Sequence, residues 1–354
     1  MILSNNMVDS KYIINHSKEL IDALKQINSI GAGPLCLFVV DDNGVMVGTL
    51  TDGDIRRALI KGATINDSVT SAMNVEFNCL RRGIDDDVVH LHHQRDLKMK
   101  LVPVLDDEGR IIDIIDLERF ITKLPIDAVM MAGGKGERLR PLTLTKPKPL
   151  LPLAGKTIID YNIERLISYG VSNINVTVNY LHEQIEEHFQ EEIKGIHVNC
   201  VREPQFLGTI GSIKFVKQFY NDTILLMNSD LFTNIDYEGF YMHFINNDAD
   251  MSVATIPYAV NIPYGIFELD GRNIRGIKEK PSYNYFANAG IYLLKKSVLE
   301  YIPNDIFFDA TDLIMKLIEM NKKVIRFPIT GFWIDIGKHE DYNKAQEFVK
   351  HIQY

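Results

Sequence analysis

The chain has 354 residues, of which 46% are hydrophobic and 24% charged, a balance typical of a globular protein with two or three domains. Its net charge of -9 argues against non-specific binding to nucleic acid, and apolar runs such as PLCLFVV are too short to cross a membrane. Cys36, Cys79 and Cys200 lie far apart without the spacing of metal ligands, which favours a reducing compartment. The first residues lack the pattern of a signal peptide, so we expect a cytoplasmic protein.

An internal near-repeat occupies the first third of the chain. The DDNG sequence at 41–44, within LCLFVVDDNGVMVGTLTDGDIRRAL, corresponds to the DDEG sequence at 106–109, within KLVPVLDDEGRIIDIIDLERFIT. Each copy predicts a strand, a two-residue turn, a second strand and the start of a helix. A helical segment precedes each copy, with Ser17 and Asp85 as the predicted N-caps. Since neither copy can bury a core well alone, we expect the two to pack as a pair over residues 1–122.

A second region begins after the TKLPID sequence, where short strand-like runs alternate with helical ones. The predicted strands are DAVMMAG, NINVTVNY and TILLMNSD, and the predicted helices are IDYNIERLISYGV and HEQIEEHFQEEI. This order predicts an α/β domain over 126–354, with a mostly parallel sheet covered by helices. Ligands of such sheets bind outside the carboxyl ends of the strands, where Gly133, Asp230 and Asp335 are predicted to lie.

The first of these strands leads into a glycine-rich stretch, GGKGERLR, that fits neither the Walker A motif nor the dinucleotide fingerprint. Gly133, Gly134 and Gly136 nevertheless allow backbone N–H groups to approach an anion closely. Arg138 adds a permanently charged guanidinium, and two prolines flank Lys148 and stiffen its backbone. A solvated surface turn is the alternative, but glycines and cations together behind a strand favour phosphate binding.

The stretch AGGKGERLRPLT followed by PKPLLP resembles the signature of the sugar-1-phosphate nucleotidyltransferases, the nucleotide-sugar pyrophosphorylases. Further segments similar to this family follow in its order to the carboxyl terminus: REPQFLGTIGS, NSD at 228–230, YGIFELDG, IKEKP, NAGIYLL and GFWIDIG. One departure is Glu137, where the family usually has threonine. The resemblance implies a Rossmann-like domain that transfers a nucleotidyl group from a nucleoside triphosphate (NTP) to a hexose 1-phosphate, with Mg²⁺ and release of pyrophosphate.

The resemblance also implies roles for individual residues. Arg138 would hold the β- and γ-phosphates, Lys148 would neutralise the α-phosphate, and Asp230 with Asp335 would hold Mg²⁺. The nucleotide-binding residues would be Ala132, Gly133, Gly134, Gly136, Glu203, Gly208 and Thr209. The residues that contact the sugar phosphate would be Tyr264, Gly265, Glu279, Lys280 and Asn288.

The choice of base is predicted from Glu203, which stands where thymidylyl members of the family carry glutamine. A carboxylate accepts hydrogen bonds from the two adjacent donors of guanine, whereas a glutamine amide suits uracil or thymine better. GTP is therefore favoured over UTP or dTTP. The sequence does not separate sugars, so a mannose-1-phosphate guanylyltransferase, a uridylyl- or thymidylyltransferase and a catalytically silent regulatory subunit remain alternatives.

The near-repeat resembles a pair of CBS motifs, and GTLTDGDIRRAL is similar to their nucleotide-binding edge. There Thr51 would contact phosphate, and Asp54 would accept hydrogen bonds from the ribose of an adenosine or guanosine nucleotide; the second copy offers Asp116 and Arg119 instead. A CBS pair precedes the transferase in glucosamine-1-phosphate guanylyltransferases of legionaminic acid synthesis, the group this chain resembles and the reason to favour glucosamine 1-phosphate. A purely structural module is the alternative, and in either case we expect a homo-oligomer.

Overall fold

The computed structural model describes residues 10–31, 33–82, 88–117 and 123–351. The chain forms two compact units, Met1–Lys123 and Leu124–Tyr354. Within the described ranges, no helix has the length and apolar character needed to cross a membrane.

The amino-terminal unit contains two small three-stranded sheets; among the described residues, two helices accompany the first sheet and one accompanies the second. Its strands are β1 Ile13–Asn15, β2 Cys36–Val40, β3 Met46–Thr51, β4 Leu80–Arg81, β5 Leu101–Leu105 and β6 Ile111–Asp116. Its helices are α1 Leu20–Ser29, α2 Asp52–Ile60 and α3 Val88–Asp96. The sheet orders are β1-β2-β3 and β4-β5-β6, so the two copies of the sequence repeat have the same arrangement of strands.

The two copies also share a core. Phe38 and Met46 from the first copy pack in one apolar cluster with Leu101 and Leu105 from the second. An isolated bridge joins Val45 to Arg110, and the Met46 N–H donates to the Gly109 carbonyl at 3.0 Å. The repeats therefore pack against each other, as expected for units too small to bury a core separately.

Two local predictions in this unit are wrong. The β2–β3 connection has three loop residues rather than two, because the Asp41 N–H bonds the Val45 carbonyl, and Gly44 adopts a φ of +80°. A glycine in the left-handed region closes this type of loop without strain. Ser17 does not cap α1, since Glu19 is the N-cap and the Ser17 hydroxyl donates to Asn15 Oδ1. Asp85, the other predicted cap, lies outside the described residues.

The carboxy-terminal unit is built on a seven-stranded sheet. The strands of the whole unit, including those outside this sheet, are β7 Ile126–Met131, β8 Pro152–Leu153, β9 Lys156–Thr157, β10 Ile174–Val178, β11 Val198–Arg202, β12 Thr223–Asn228, β13 Leu231–Thr233, β14 Met251–Asn261, β15 Ile266–Asp270, β16 Asn273–Lys278, β17 Ser282–Lys295, β18 Val324–Pro328 and β19 Trp333–Asp335. Its helices are α4 Ile158–Ser168, α5 His182–His188, α6 Tyr237–Asn246, α7 Ala310–Glu319 and α8 His339–Val349.

The order of the large sheet is β11-β10-β7-β12-β17-β14-β18. Its first four strands are mutually parallel, β17 runs antiparallel to both neighbours, and β14 and β18 are parallel. The prediction of an α/β domain with a mixed, mostly parallel sheet is confirmed. The helix predicted from HEQIEEHFQEEI is shorter than expected, since α5 ends at His188.

The two longest strands extend beyond the rest of the sheet. β14 pairs with β17 as far as Asn261 and Ser282, whereas its pairing with β18 stops at Thr255. β17 likewise pairs with β12 only from Ile291 onward. The result is a two-stranded ribbon, and the β15–β16 hairpin is inserted at its far end. The ribbon and hairpin together, residues 256–287, are called the arm below.

Candidate active site

A polar cavity of about 350 Å³ lies at the carboxyl ends of two neighbouring strands, β7 and β12. Met131, the last residue of β7, pairs with Asn228, the last residue of β12, so the loops that follow both strands open on the same edge of the sheet. The cavity is lined by Met131, Ala132, Gly134, Gly136, Glu137, Arg138, Lys148, Pro149, Ser229, Asp230 and Gly337. Most of the predicted phosphate- and metal-binding residues are therefore together, at the position expected for ligands of an open α/β sheet.

The glycine loop packs tightly against the residues beneath it. Gly136 has a φ of +59°, and a Cβ at this position would lie 3.0 Å from Thr143 Cγ2 and 3.2 Å from Lys148 Cβ. The Thr143 hydroxyl donates to the Gly136 carbonyl at 2.8 Å and holds this geometry. At Gly133, a Cβ would lie only 2.6 Å from Glu203 Oε1. Glycine is required at both positions by the close approach of neighbouring side chains.

Lys148 and Asp230 form an ion pair at the floor of the cavity, although they stand 82 residues apart in the chain. Lys148 is only 8% exposed, and its ammonium group donates to Asp230 Oδ2. The other carboxylate oxygen, Asp230 Oδ1, is buried and accepts no hydrogen bond from the described residues. An unsatisfied buried carboxylate oxygen is costly, so this atom is suited to a ligand that the protein alone does not supply.

Asp335 is brought to the same place by a short antiparallel pair of strands, β13 and β19. Asp335 pairs with Leu231, and the Ile336 N–H donates to the Asp230 carbonyl at 3.2 Å. Burial raises the pKa of Asp335, and the negative charge of Asp230 raises it further, while Lys148 and Arg138 act in the opposite direction. Two carboxylates and two cations thus form one charge cluster, as the sequence predicted.

This cluster fits a divalent magnesium ion. Mg²⁺ prefers hard oxygen ligands and is commonly held by one or two carboxylates together with substrate phosphates and water. Asp230 offers an unpartnered oxygen, and Asp335 stands beside it. In the part of the chain that the structure describes, no group of three or more His, Cys, Asp or Glu side chains could hold a metal ion. The remaining ligands of an ion at this position would therefore be phosphate oxygens and water.

Glu203 follows β11 and is only 5% exposed. Burial raises the pKa of its carboxyl group, and hydrogen bonds from the Leu207 N–H, at 3.3 Å, and the Ser212 hydroxyl oppose this rise in part. Its contact with Gly133 places it directly beside the glycine loop. The structure therefore brings Glu203 next to the predicted phosphate-binding segment, in a nearly buried position.

Gly208 and Thr209 do not line the cavity but contact the beginning of α7. A Cβ on Gly208 would lie 2.7 Å from the Phe308 carbonyl. The Thr209 N–H and hydroxyl donate to Asp309 Oδ1 at 2.8 and 3.1 Å, and the same hydroxyl accepts the Ala310 N–H at 2.8 Å. The Thr209 side chain is therefore already engaged with the α7 helix terminus.

The residues predicted to contact the sugar phosphate lie on or beside the arm, apart from the cavity lining. Tyr264, Glu279, Lys280 and Asn288 are exposed, and a Cβ on Gly265 would lie 2.8 Å from Glu279 Oε2. Asn288 is held by its neighbours on β17, since it accepts the Gly290 N–H at 2.9 Å and donates to the Tyr292 hydroxyl at 2.8 Å.

Ser229 and Gly337 are among the cavity residues that the sequence analysis did not assign to the site. The Ser229 hydroxyl donates to the Met131 carbonyl at 2.7 Å and so joins the ends of β12 and β7. Gly337 leaves room for Arg138, whose Nη2 would lie 3.4 Å from a Cβ there. Each residue lies within two positions of a predicted metal ligand, in NSD and in WIDIG, and this adjacency is the signal that could have identified it.

In the amino-terminal unit, Thr51 and Asp54 bond mainly to each other. The Thr51 side chain accepts the Asp54 N–H at 3.2 Å, and Asp54 Oδ2 accepts the Thr51 N–H at 2.9 Å, a capping box at the start of α2. Asp54 Oδ1 accepts from Arg57 Nη2 at 2.5 Å. Both carboxylate oxygens therefore have protein partners. In the second copy Asp116 ends β6, and Arg119 lies outside the described residues.

The family model of the nucleotidyl transferases matches residues 127–352, and the chain belongs to this family. A CBS domain model matches residues 7–61, the first copy of the near-repeat. The two matches agree with the resemblances inferred from the sequence motifs.

Individual relatives match somewhat less than two thirds of the chain. The chain is 31% identical over 232 residues to the bifunctional protein GlmU of Methanocaldococcus jannaschii, covering 63% of this chain and 54% of that protein. It is 28% identical over 228 residues to the D-glycero-alpha-D-manno-heptose 1-phosphate guanylyltransferase of Aneurinibacillus thermoaerophilus, covering 64% of this chain and 99% of that one. The solved structure of HddC from Yersinia pseudotuberculosis matches with a TM-score of 0.51 and 28% identity, over 63% of this chain and 99% of that one. Several of the relatives are longer, and the chain spans between half and two thirds of their length.

Proposed function

We propose that the protein is an active sugar-1-phosphate nucleotidyltransferase, with GTP as the favoured nucleotide and glucosamine 1-phosphate as the favoured acceptor. The observation that carries the proposal is the cluster of Lys148, Asp230, Asp335 and Arg138 beside the glycine loop, with one carboxylate oxygen left without a partner. A regulatory subunit that has lost its chemistry would have no reason to keep this costly arrangement.

In the proposed reaction, a phosphate oxygen of the sugar 1-phosphate attacks the α-phosphorus of the NTP. The bond from the α-phosphorus to the oxygen that bridges to the β-phosphate breaks, and pyrophosphate leaves with that oxygen. Such transfers depend on positioning and on neutralising charge rather than on covalent chemistry by the protein. Backbone N–H groups of the glycine loop and the Arg138 guanidinium would bind the β- and γ-phosphates. Lys148 would leave its pair with Asp230 to neutralise the α-phosphate as charge develops there.

Asp230 and Asp335 would hold Mg²⁺, with Asp230 Oδ1 as the oxygen that is free to bind it. When bound, the ion neutralises phosphate charge and stabilises the geometry of the leaving group. Burial raises the pKa of Asp335 and the negative charge of Asp230 raises it further, so a bound cation would stabilise the ionised carboxylates.

Glu203 would select guanine by accepting hydrogen bonds from N1–H and the 2-amino group. Its position beside Gly133 and its low exposure support this role, because a nearly buried carboxylate loses much when its donors are absent. The name of the heptose relative as a guanylyltransferase adds support. The sugar phosphate would extend from the cavity toward the arm. There it would contact the five predicted residues, Tyr264, Gly265, Glu279, Lys280 and Asn288.

The test is pyrophosphate release across four NTPs and the 1-phosphates of glucosamine, mannose, glucose and a heptose, with the nucleotide-sugar product identified by mass. We expect the highest kcat/KM with GTP and glucosamine 1-phosphate. Turnover with GTP and another sugar, such as mannose 1-phosphate, would correct the acceptor alone. A preference for UTP or dTTP would overturn the interpretation of Glu203, and no turnover with any pair would favour a regulatory subunit.

A further inference from the structure

The loop that carries Glu203 is attached to the segment that leads into α7. Residues 203–210, called the base loop below, follow β11, and residues 305–309 immediately precede α7. The Phe308 N–H donates to the Leu207 carbonyl at 3.0 Å. The contact joins parts of the chain that are about 100 positions apart. The position of the base loop therefore depends on tertiary contacts with this segment.

Asp309 adds a side-chain contact to this attachment. Its Oδ1 accepts the Thr209 N–H at 2.8 Å and the Thr209 hydroxyl at 3.1 Å. The Thr209 oxygen in turn accepts the N–H of Ala310, the first residue of α7, at 2.8 Å. Asp309 is the N-cap residue of α7 and is half-buried. One carboxylate oxygen thus joins the base loop to the start of a helix.

The fit between the two segments leaves no room for a side chain at Gly208. This residue has a φ of +80°, and a Cβ there would lie 2.7 Å from the Phe308 carbonyl oxygen and 2.9 Å from Asp309 Oδ1. On the other side of Thr209, the Ile210 N–H donates to the same Phe308 carbonyl at 3.1 Å. Consecutive residues of the base loop are thus packed and bonded against Phe308 and Asp309.

The attachment reaches Glu203 through Leu207. Glu203 Oε2 accepts the Leu207 N–H at 3.3 Å, and the Leu207 carbonyl is the group that accepts the Phe308 N–H. Leu207 is buried, and displacement of the loop would break both bonds. A carboxylate selects between bases only when its oxygens are held in a fixed orientation. The orientation of Glu203 therefore depends on where the base loop is held.

We propose that Asp309 is a positioning residue for base selection, which holds the base loop so that the Glu203 carboxylate keeps the orientation needed to accept hydrogen bonds from the base. This proposal rests on the proposed function of Glu203. Asp309 Oδ1 is already bonded to Thr209, so Asp309 would act through the loop rather than by contact with the nucleotide. A loop that is ordered before the nucleotide arrives lowers the entropic cost of binding.

Helix stability alone is the competing explanation, because aspartate is a common N-cap residue. A matched comparison is Asp236, the exposed N-cap residue of α6, whose carboxylate accepts the Gly239 N–H at 3.0 Å. This carboxylate bonds within its own helix, whereas that of Asp309 bonds to the base loop. Loss of either aspartate should weaken the start of a helix, but only loss of Asp309 should change the binding of the base.

The first experiment measures hydrogen exchange of the base loop in the full chain without ligands. In Asp309→Ala, the amides of residues 207–211 should exchange about tenfold faster or more than in the wild type, because the loop opens more often. Asp309→Asn keeps an acceptor oxygen at this position and should restore most of the protection. Asp236→Ala should leave exchange in the base loop unchanged. Equal protection of the loop in the wild type and in Asp309→Ala would overturn the proposal.

The second experiment compares the binding of GTP and of inorganic triphosphate by calorimetry, with Mg²⁺ and without a sugar phosphate. Asp309→Ala should weaken the binding of GTP about fivefold or more, because the loop must be ordered on binding. The binding of inorganic triphosphate, which has no base, should be unchanged. Asp309→Asn should restore most of the affinity for GTP, and Asp236→Ala should alter neither ligand. An equal loss for both ligands, or an unchanged affinity for GTP, would overturn the proposal.

Steady-state kinetics then test base selection itself. In Asp309→Ala, the KM for GTP should rise more than kcat falls, and the preference for GTP over UTP in kcat/KM should decrease. An unchanged preference would overturn the proposal. A wild type that prefers UTP would contradict the assignment of guanine to Glu203, and the same variants would then be compared with UTP: weaker binding of UTP in Asp309→Ala would support the positioning role, and unchanged binding would overturn it. The exchange and calorimetric measurements require no turnover, so a failure here is distinct from a failure of the proposed activity.

Discussion

Two regions of this protein carry polar side chains that the sequence assigns to nucleotide binding. They differ in whether these polar atoms find hydrogen-bond partners within the protein. At Thr51 and Asp54, the interacting groups are three residues apart and satisfy each other as a helix cap, with Arg57 on the remaining oxygen. At Lys148 and Asp230, the groups come from segments 82 residues apart, and one carboxylate oxygen has no hydrogen-bond partner among the described residues. Helix stability explains the local, fully satisfied pair, whereas the distant pair has an unsatisfied carboxylate oxygen that is suited to a ligand.

The largest expected effect concerns catalysis by Lys148 and Asp230, the pair that lies far apart in the sequence. Lys148→Ala and Asp230→Asn should each lower kcat by about a hundredfold or more, because each removes charge neutralisation that is needed in the transition state. Steady-state pyrophosphate release, with circular dichroism to verify folding, measures this effect. Lys146→Ala, an exposed lysine in the same segment, and Asp222→Asn, at the opposite end of β12, are matched controls. Near-normal turnover of a folded Lys148 or Asp230 variant would remove that residue from the mechanism.

The second effect concerns the base. Glu203→Gln should reduce the preference for GTP over UTP by roughly 1.5–3 kcal/mol, because one charge-assisted acceptor for two guanine donors is lost. The ratio of kcat/KM values for the two nucleotides measures this preference. Glu191→Gln, an exposed carboxylate, serves as the control. An unchanged ratio would assign the selection of the base to other residues.

The third effect concerns the contribution of Thr51 and Asp54, the pair that lies close in the sequence, to the stability of the amino-terminal unit. Asp54→Ala should lower the stability of the amino-terminal unit by about 1 kcal/mol, because it removes the carboxylate half of the capping box of α2 whether or not a nucleotide binds. Asp52→Ala, which removes only an exposed pair with Arg56, should have little effect. Thermal unfolding of the full chain measures both.

Calorimetry with AMP and GMP on the full chain then separates the two roles of Asp54. Binding by the wild type that is lost in Asp54→Ala would support a regulatory nucleotide site, which needs a coupling of about 1–3 kcal/mol to affect activity. An absence of binding at millimolar nucleotide would leave the cap as the complete explanation of this motif.

The smallest effect is the dependence of stability on pH at Glu203. Burial raises the pKa of Glu203 above its ordinary value of 4.5, so the folded protein binds this proton more tightly than the unfolded chain does. The ionised group therefore destabilises the fold at neutral pH, and this cost disappears as the pH falls through the raised pKa. Glu203→Gln should stabilise the ligand-free protein near pH 7 and should do so progressively less toward pH 4. Denaturant titrations across this range measure the difference, and a constant difference would contradict the assignment.

The sequence by itself determined the features that depend on local pattern and chain order. The alternation of strands and helices predicted the α/β sheet, and the strand ends predicted that the glycine loop and Asp230 would meet; Asp335 instead lies on the separate β13–β19 pair, not at an end of the large sheet. These predictions succeeded because hydrophobic periodicity and the position of strand ends are local properties of the chain.

The tertiary structure alone decided which polar atoms find partners. The sequence could not indicate that Thr209 would bond to Asp309, 100 residues away, or that both carboxylate oxygens of Asp54 would be used by Thr51 and Arg57. It also could not indicate that the apolar residues of the arm would remain exposed, since alternating apolar residues predict a half-buried strand without naming what covers it. Hydrogen-bond satisfaction and burial depend on which distant segments meet, and that is settled only when the whole chain has folded.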